Sequence, residues 1–227
     1  MKTALFLISL FLLFTASTCE RDERCLPKDT YYDFKVPAQI FPAQENYQIG
    51  DTIHFVSQFS DQVYEETTNQ DYDLQNFLFY PSILVREISN EVIKDTVLNN
   101  FEVLVDTSKY TFQEYVYNSG TVSYEGQYHY QNDEYNLEFS IIPSDTGLYY
   151  LIFASLSSTI DPFQTFPGKC DKDIYNRVFI TVNEEENNNF DLLLESQSSY
   201  YSGIVYRESN DELNKNKRGI FLFRVTE

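Results

Sequence analysis

Apolar and polar residues alternate in many short stretches of the chain, and this alternation predicts β-strands. The clearest case follows the turn dipeptide Gly50-Asp51. One face of that stretch carries Ile53, Phe55 and Phe59. The opposite face carries the residues that alternate with them: Thr52, His54, Val56 and Gln58. Because only one face is strongly apolar, we expect this strand to cover a core on one side and to meet solvent on the other.

Other apolar stretches predict further strands, separated by turn residues. We expect strands over 31–36, 77–80 with 83–88, 101–105, 137–141, 148–153 and 174–182. Pro37 and Pro42 limit the first of these to pairing at an edge, and Pro81 bends the second. The polar segment 61–76 predicts a long loop.

Residues 106–135 are rich in tyrosine, and Asn118-Ser119-Gly120 in their midst predicts a hairpin turn. Five of these tyrosines are candidates for a binding surface: Tyr115, Tyr117, Tyr124, Tyr128 and Tyr130. Tyrosine suits recognition because it joins a rigid ring to a polar tip. The alternative is that these rings pack against each other across strands, which is the more common use of aromatic residues in a sheet.

The period of the apolar residues changes near the C-terminus. Phe190, Leu193 and Leu194 have helical spacing, and the polar run 209–213 suits the start of a second helical turn that Gly219 would end. Residues 220–225 alternate again. We therefore expect a helical excursion over about 184–219 and then a closing strand.

Two motifs resemble parts of immunoglobulin-like domains. The pattern Tyr-x-x-Gly-Asp-x-Ile-x-Phe over 47–55 resembles the start of strand B in bacterial domains of this kind. Asp145-x-Gly147-x-Tyr149 resembles the E–F corner, where the tyrosine hydroxyl bonds to upstream backbone. Leu151 stands where an antibody domain has its second core cysteine. The resemblance implies an architecture and no activity.

The fold that these patterns and the resemblance imply is all-β. We expect a single immunoglobulin-like β-sandwich over residues 31–227, with an inserted hairpin and the short helical excursion before the closing strand. The corner strand should place Tyr149, Leu151 and Phe153 in the core beside Ile53 and Phe55.

Net charge excludes one class of partner. The formal charge is −19, and a surface this acidic repels phosphate backbones, so we expect no nucleic-acid binding. The chain has 19 Tyr and 19 Phe but no Trp, which weakens the case for a strong sugar-stacking platform.

The N-terminus has the composition of an export signal. Lys2 precedes an apolar run over 4–14, and small residues follow at 15–18. This predominantly apolar stretch of eleven residues is too short for a comfortable transmembrane helix, so we assign 1–18 as a signal peptide.

The chain has three cysteines, and the first directly follows the small residues. Ala16-Ser17-Thr18-Cys19 resembles a lipobox, although that motif prefers Leu at position 16 and Gly, Ala or Ser at position 18. The charged run 20–24 resembles the tether of surface lipoproteins of Bacteroidetes-type bacteria. The resemblance implies that Cys19 is lipidated and that 19–30 form a linker. The alternative is ordinary signal cleavage, which yields a soluble periplasmic or secreted protein.

Lipidation of Cys19 would leave an even pair of cysteines in an oxidising compartment. We expect these two, Cys25 and Cys170, to form a disulfide that joins the start of the domain to a late loop.

Little in the sequence points to catalysis, a metal or a cofactor. The two histidines, His54 and His129, have no second histidine or cysteine at zinc-binding spacing. Asn69-x-Asp71-x-Asp73 spaces oxygen ligands as a calcium loop does, but it lacks the glycine and late glutamate of an EF-hand, and a solvated loop is the preferred alternative. No Gly-x-Ser-x-Gly, phosphate-loop or dinucleotide motif occurs.

We therefore expect a lipid-anchored protein of the outer membrane or cell surface that acts as a non-catalytic binding or structural module for a protein or glycan. The alternative is a carboxylate-dependent hydrolase on a β scaffold. Two facing carboxylates in a deep pocket would favour the enzyme, and an exposed aromatic surface would favour binding.

Overall fold

The computed structural model of the chain describes residues 30–88, 100–116, 122–155, 161–185, 188–195 and 219–227. The strands within these ranges are β1 Tyr31–Phe41, β2 Asn46–Gln48, β3 Ile53–Ser60, β4 Gln62–Glu65, β5 Gln70–Asp73, β6 Pro81–Glu87, β7 Phe101–Leu104, β8 Phe112–Val116, β9 Val122–Gly126, β10 His129–Gln131, β11 Glu134–Pro143, β12 Gly147–Ser155, β13 Tyr175–Val182 and β14 Ile220–Thr226. A 3-10 helix spans Asn183–Glu185, and α1 spans Asp191–Glu195.

The strands form two sheets with the main core between them. The eight-stranded sheet has the order β10-β11-β3-β1-β4-β5, with β13 added beside β1 and β7 beside β11. The six-stranded sheet has the order β2-β14-β12-β6-β9-β8. The rings of Phe55 and Phe153, one from each sheet, stack at 4.4 Å. The predicted all-β, immunoglobulin-like sandwich is confirmed.

The predicted corner forms at the start of β12. The hydroxyl of Tyr149 lies 3.3 Å from the carbonyl oxygen of Asp145 and 3.2 Å from that of Thr146. Tyr149, Leu151 and Phe153 are all buried, as the alternation predicts. The predicted closing strand also forms, as β14, which pairs with β12.

The first strand is longer than predicted and is not an edge strand. β1 pairs with β13 in parallel and with β3 and β4 in antiparallel fashion. Pro37 lies between the contact of Phe34 with β4 and the pairing with β3 that begins at Gln39. A residue without an N–H is tolerated there because it falls between two antiparallel partners.

The segment 61–76 is not the long loop that its polarity predicts. It forms the hairpin β4–β5, in which Val63 pairs with Tyr72 and both are buried. The prediction fails because one of the inward positions of β4 is occupied by a charged residue, Glu65, which is fully buried.

The two predicted insertions are present in part. β8 and β9 form the predicted hairpin, with Val116 paired to Val122, while its turn lies outside the described residues. Helix α1 forms where helical spacing predicts it, and Leu192 and Leu193 pack with Tyr150 and Leu222 in a second small core. The predicted second helical turn falls outside the described part of the chain.

Residues 1–29 also lie outside the described ranges, so the predicted signal peptide, Cys19 and Cys25 are not placed. Among the residues that are described, none of the helices combines the length and apolarity needed to cross a membrane.

Candidate functional site

Four strands of the larger sheet align one residue each in a row across its outer face. Phe41 of β1 pairs with His54 of β3, His54 with Ser140 of β11, and Ser140 with Leu104 of β7. The two ends of the row are exposed apolar side chains, since Phe41 is 45% exposed and Leu104 is 44% exposed. The row therefore offers two apolar contacts that flank a polar centre.

The centre of the row is fixed by contacts within the protein. The rings of Phe41 and His54 stack with their centroids 4.8 Å apart and their planes 23° apart. Nδ1 of His54 lies 2.9 Å from Oγ of Ser140. Because one face and one nitrogen of the imidazole are engaged, His54 presents a set orientation to anything that approaches the row.

Two adjoining grooves lie along this face. The larger, of about 650 Å³, covers the row and is bordered by the segment that follows β7. The smaller, of about 480 Å³, lies over β1, β3 and β11, and the two grooves share Val56. We call them together the outer furrow and define it by these residues: Phe41, His54, Val56, Leu104, Glu134 and Glu138.

Carboxylates predominate among the charged groups of the furrow. Asp106 and Glu138 line the larger groove and Glu134 the smaller, whereas the one cation among the residues that line them is Lys109. Nζ of Lys109 lies 3.7 Å from Oε1 of Glu138. A hydrogen bond with Tyr110, and further the charge of Glu138, raises the pKa of Lys109. Hydrogen bonds from the hydroxyl and backbone N–H of Ser108 lower the pKa of Asp106.

The carboxylates buried in the described part of the chain have structural partners. Asp33 accepts hydrogen bonds from Nε of Arg177 at 2.6 Å and from its Nη2 at 2.8 Å. The guanidinium carbon of Arg177 lies 4.1 Å from the ring centroid of Tyr31. Asp33 and Arg177 thus form an ion pair with two hydrogen bonds. This geometry holds the arginine in place and is not one that serves proton transfer.

Glu65 is saturated by backbone groups. Its carboxylate accepts hydrogen bonds from the N–H groups of Asp33 (2.7 Å), Thr67 (2.9 Å) and Thr68 (2.6 Å), and from the hydroxyl of Thr68 (2.5 Å). A general acid or base has to reach a substrate, and neither Asp33 nor Glu65 is exposed. These two residues therefore give no support to the hydrolase alternative.

The tyrosines predicted to form a binding surface lie in different parts of the fold. Tyr115 is 48% exposed on β8 of the smaller sheet. Tyr124 on β9 stacks against Phe112 with centroids 5.2 Å apart. Tyr117 lies outside the described residues.

The other two tyrosines lie outside the smaller sheet. Tyr128 is buried, and its hydroxyl donates to Oγ of Ser57 at 2.7 Å. Tyr130 is on β10 of the larger sheet, where its hydroxyl donates to Asp61 at 2.8 Å. Burial, with that hydrogen bond, raises the pKa of Tyr130 to about 12. These tyrosines therefore do not share one exposed face, and Tyr128 is a core residue.

The calcium-like run starts in the turn before β5, at Asn69, and continues onto that strand. Asp71 and Asp73 belong to β5, and Oδ1 of Asn69 accepts a hydrogen bond from the hydroxyl of Tyr64 at 2.6 Å. Within the described ranges, no three or more His, Cys, Asp or Glu side chains come together as a metal site would require.

Cys170 lies beside the start of the first strand. Its backbone N–H donates to the hydroxyl of Tyr32 at 3.3 Å. The predicted partner, Cys25, is not among the described residues, so the disulfide stays a prediction.

The alternation in 52–59 predicted that His54 and Val56 lie on an outer face, and they do. The contributions of Phe41, Leu104 and Glu138 were not predicted. They join His54 through cross-strand register, and register depends on pairings between segments that are far apart in sequence. The alternation in 101–105 and 137–141 indicates that Leu104 and Glu138 face outward. Phe41 lies beyond the predicted strand 31–36, so no pattern indicated its position.

No family model and no curated protein matches the chain. Solved structures that resemble it include the second type II cohesin module from the cellulosomal adaptor ScaA scaffoldin of Acetivibrio cellulolyticus, with 11% identity over 57% of this chain and 81% of that chain, at a TM-score of 0.29. A cohesin module from the family 33 glycoside hydrolase of Clostridium perfringens is 12% identical over 55% of this chain and 80% of that one, at a TM-score of 0.26. A non-cellulosomal cohesin from Archaeoglobus fulgidus is 9% identical over 69% of this chain and 94% of that one, at a TM-score of 0.23. Similarity at this level identifies no partner and no activity.

Proposed function

We propose that this protein is a non-catalytic binding module of the cell envelope that holds a protein partner in the outer furrow. The observation that carries the proposal is the row on the outer face, where Phe41 and Leu104 are exposed at the two ends of an ordered His54–Ser140 pair. Recognition surfaces typically combine exposed apolar side chains with polar groups of fixed orientation.

The shape and chemistry of the furrow favour a protein over a glycan. Sugars bind best to the open faces of aromatic rings, and one face of Phe41 is covered by His54. Aliphatic side chains, among them Val56 and Leu104, add apolar surface that suits the packing of other side chains. The chain also lacks Trp.

We also propose that the protein is exported and tethered through lipidated Cys19. The support is the apolar run 4–14 followed by small residues and Cys19, and a charged segment that separates this cysteine from the start of β1 at Tyr31. Labelled palmitate fed to cells should appear in the wild-type protein and be absent from a Cys19→Ala variant. Labelling that persists in Cys19→Ala would contradict the anchor.

Binding through the furrow is tested with two matched surface variants. Leu104→Asn removes an apolar contact at the furrow, and Val116→Asn removes one on β8 of the other sheet, where the side chain is 59% exposed. Immobilised wild-type protein is incubated with envelope extract from its source, and retained proteins are quantified by mass spectrometry.

We expect at least one protein to be retained by the wild type and by Val116→Asn but lost with Leu104→Asn. Loss only with Val116→Asn would move the binding surface to the β8–β9 hairpin. Retention that neither variant changes would contradict a role for the furrow.

A further inference from the structure

Resting on the proposed function, we infer that the segment held in the outer furrow is an extended polypeptide in which every second side chain faces the furrow, first an apolar one and then basic ones. Two features of the described residues carry this inference. They are the spacing of rows along the furrow and the sign of the charge that lines it.

The furrow has the dimensions of an extended segment. Successive outward residues of β3 mark three rows, at His54, Val56 and Gln58, and each has a partner on β11. Rows two residues apart are separated by about 7 Å, so the first and third are about 13 Å apart, the length of four to five extended residues. A segment that lies along the strands would place every second side chain over a row.

The two ends of the furrow differ in chemistry. At the His54 row, Leu104 lies beside Ser140 of β11 and provides apolar surface for an aliphatic or aromatic side chain. Further along β11, Glu138 in the second row points outward with its side chain 52% exposed. Glu134, one row beyond Gln58, also points outward and accepts a hydrogen bond from Nε2 of Gln58 at 3.0 Å. A segment with an apolar side chain over the His54 row and cationic side chains over the rows beyond it would therefore match the furrow.

Charge favours a basic segment over a neutral or acidic one. Asp106, Glu134 and Glu138 line the furrow, and Lys109, which contacts Glu138, offsets one of these three negative charges. The chain as a whole carries a formal charge of −19, so its field attracts cations to this surface and repels acidic segments.

The test uses three labelled eight-residue peptides with blocked ends and the purified full-length protein. One, the lysine–leucine peptide, has serine at every second position and, at the positions between, one leucine followed by three lysines. In the second peptide glutamates replace the lysines, and in the third a serine replaces the leucine. We expect the lysine–leucine peptide to bind at least about tenfold more tightly than either control by fluorescence anisotropy, since each control lacks one of the two matched properties. The affinity should fall as sodium chloride is raised.

Matched charge variants separate the furrow from the general acidity of the chain. Glu134→Gln with Glu138→Gln removes two carboxylates from the furrow, and Glu45→Gln with Asp71→Asn removes two exposed carboxylates outside it. Only the first pair should weaken binding of the lysine–leucine peptide, by about fivefold or more. Leu104→Asn should weaken it as well.

Equal weakening by both double variants would show that the peptide binds by net charge alone and would overturn the inference. The proposed function fails separately. If an envelope protein is lost with Leu104→Asn but the lysine–leucine peptide does not bind, the furrow is a binding site for a segment of different chemistry. If neither occurs, both proposals fail.

Discussion

A single buried carboxylate shapes the turn between β4 and β5. Glu65 accepts three backbone N–H groups and one hydroxyl, and one of the N–H groups belongs to Asp33 on β1. Asp33 in turn holds Arg177 on β13. The two acidic residues thus connect three strands through hydrogen bonds to charged groups, which are stronger than those between neutral groups.

Replacing Glu65 with glutamine tests this role. In Glu65→Gln one acceptor oxygen becomes an amide donor that faces other donors, so we expect the free energy of unfolding to fall by about 2–3 kcal/mol. Urea denaturation measures the change. The exposed Asp71 provides the control, because Asp71→Asn should change stability by no more than about 0.5 kcal/mol. Equal stability of Glu65→Gln and Asp71→Asn would show that the charge of Glu65 is not needed.

A buried carboxylate such as that of Glu65 is hard to predict from the sequence. A glutamate in a polar segment is typical of a loop. The burial of Glu65 depends on hydrogen-bond donors from Asp33 and Thr68, and no local sequence pattern indicates that these donors lie nearby. His54 was easier to place because its apolar neighbours Ile53 and Phe55 define the inner face of β3.

At the scale of elements, the corner at the start of β12 is held by hydrogen bonds of the Tyr149 hydroxyl, and Gly147 leaves the space that the Tyr149 ring occupies. A Cβ atom added at Gly147 would lie 2.9 Å from the ring and hydroxyl oxygen of Tyr149. The ring has little room to move because it is fully buried and packs against Phe101 at 5.0 Å and Phe223 at 5.8 Å.

Gly147→Ala should therefore lower the free energy of unfolding by about 1–3 kcal/mol through this clash. Tyr149→Phe should cost about 0.5–1.5 kcal/mol, because the hydroxyl loses its carbonyl acceptors. In the double variant the alanine should cost less than it does alone, since one of the clashing atoms is gone. Strictly additive costs in denaturation experiments would mean that the two residues do not meet.

Elements with a strong local signal were predicted well. The alternation in 137–141 and 220–225, and the corner motif before β12, correspond to β11, β14 and β12. What the sequence did not predict is how strands join. The parallel pairing of β1 with β13 connects residues that are more than a hundred positions apart, and the hairpin β4–β5 has no apolar run that would indicate it.

For the molecule as a whole, the high tyrosine content makes stability sensitive to alkali. Burial raises the pKa of Tyr47 to about 12, and it also raises the pKa of Tyr128 and of Tyr135. Each of these hydroxyls is ionised more easily in the unfolded chain, where the pKa of tyrosine is about 10. Their contribution to stability is complete below pH 10 and is lost as the pH rises toward 12.

The free energy of unfolding should thus be level between about pH 8 and 9 and should fall above pH 10, by up to about 1.4 kcal/mol per pH unit for each buried tyrosine. Urea denaturation across this range measures it, and absorbance at about 295 nm follows ionisation. In Tyr47→Phe the decline should be shallower. Stability that is unchanged to pH 11.5 in the wild type would contradict the burial of these hydroxyls.

For the molecule as a whole, the proposed partner binds in the outer furrow. Site-specific photo-crosslinking in living cells tests it most directly. A photoreactive amino acid replaces Leu104 in the furrow, Val116 on the β8–β9 hairpin, or Asp71 on β5, all of which are exposed. We predict a discrete crosslinked protein from position 104 and none from positions 116 and 71. A crosslink from position 116 alone, or none from any position, would contradict the claim.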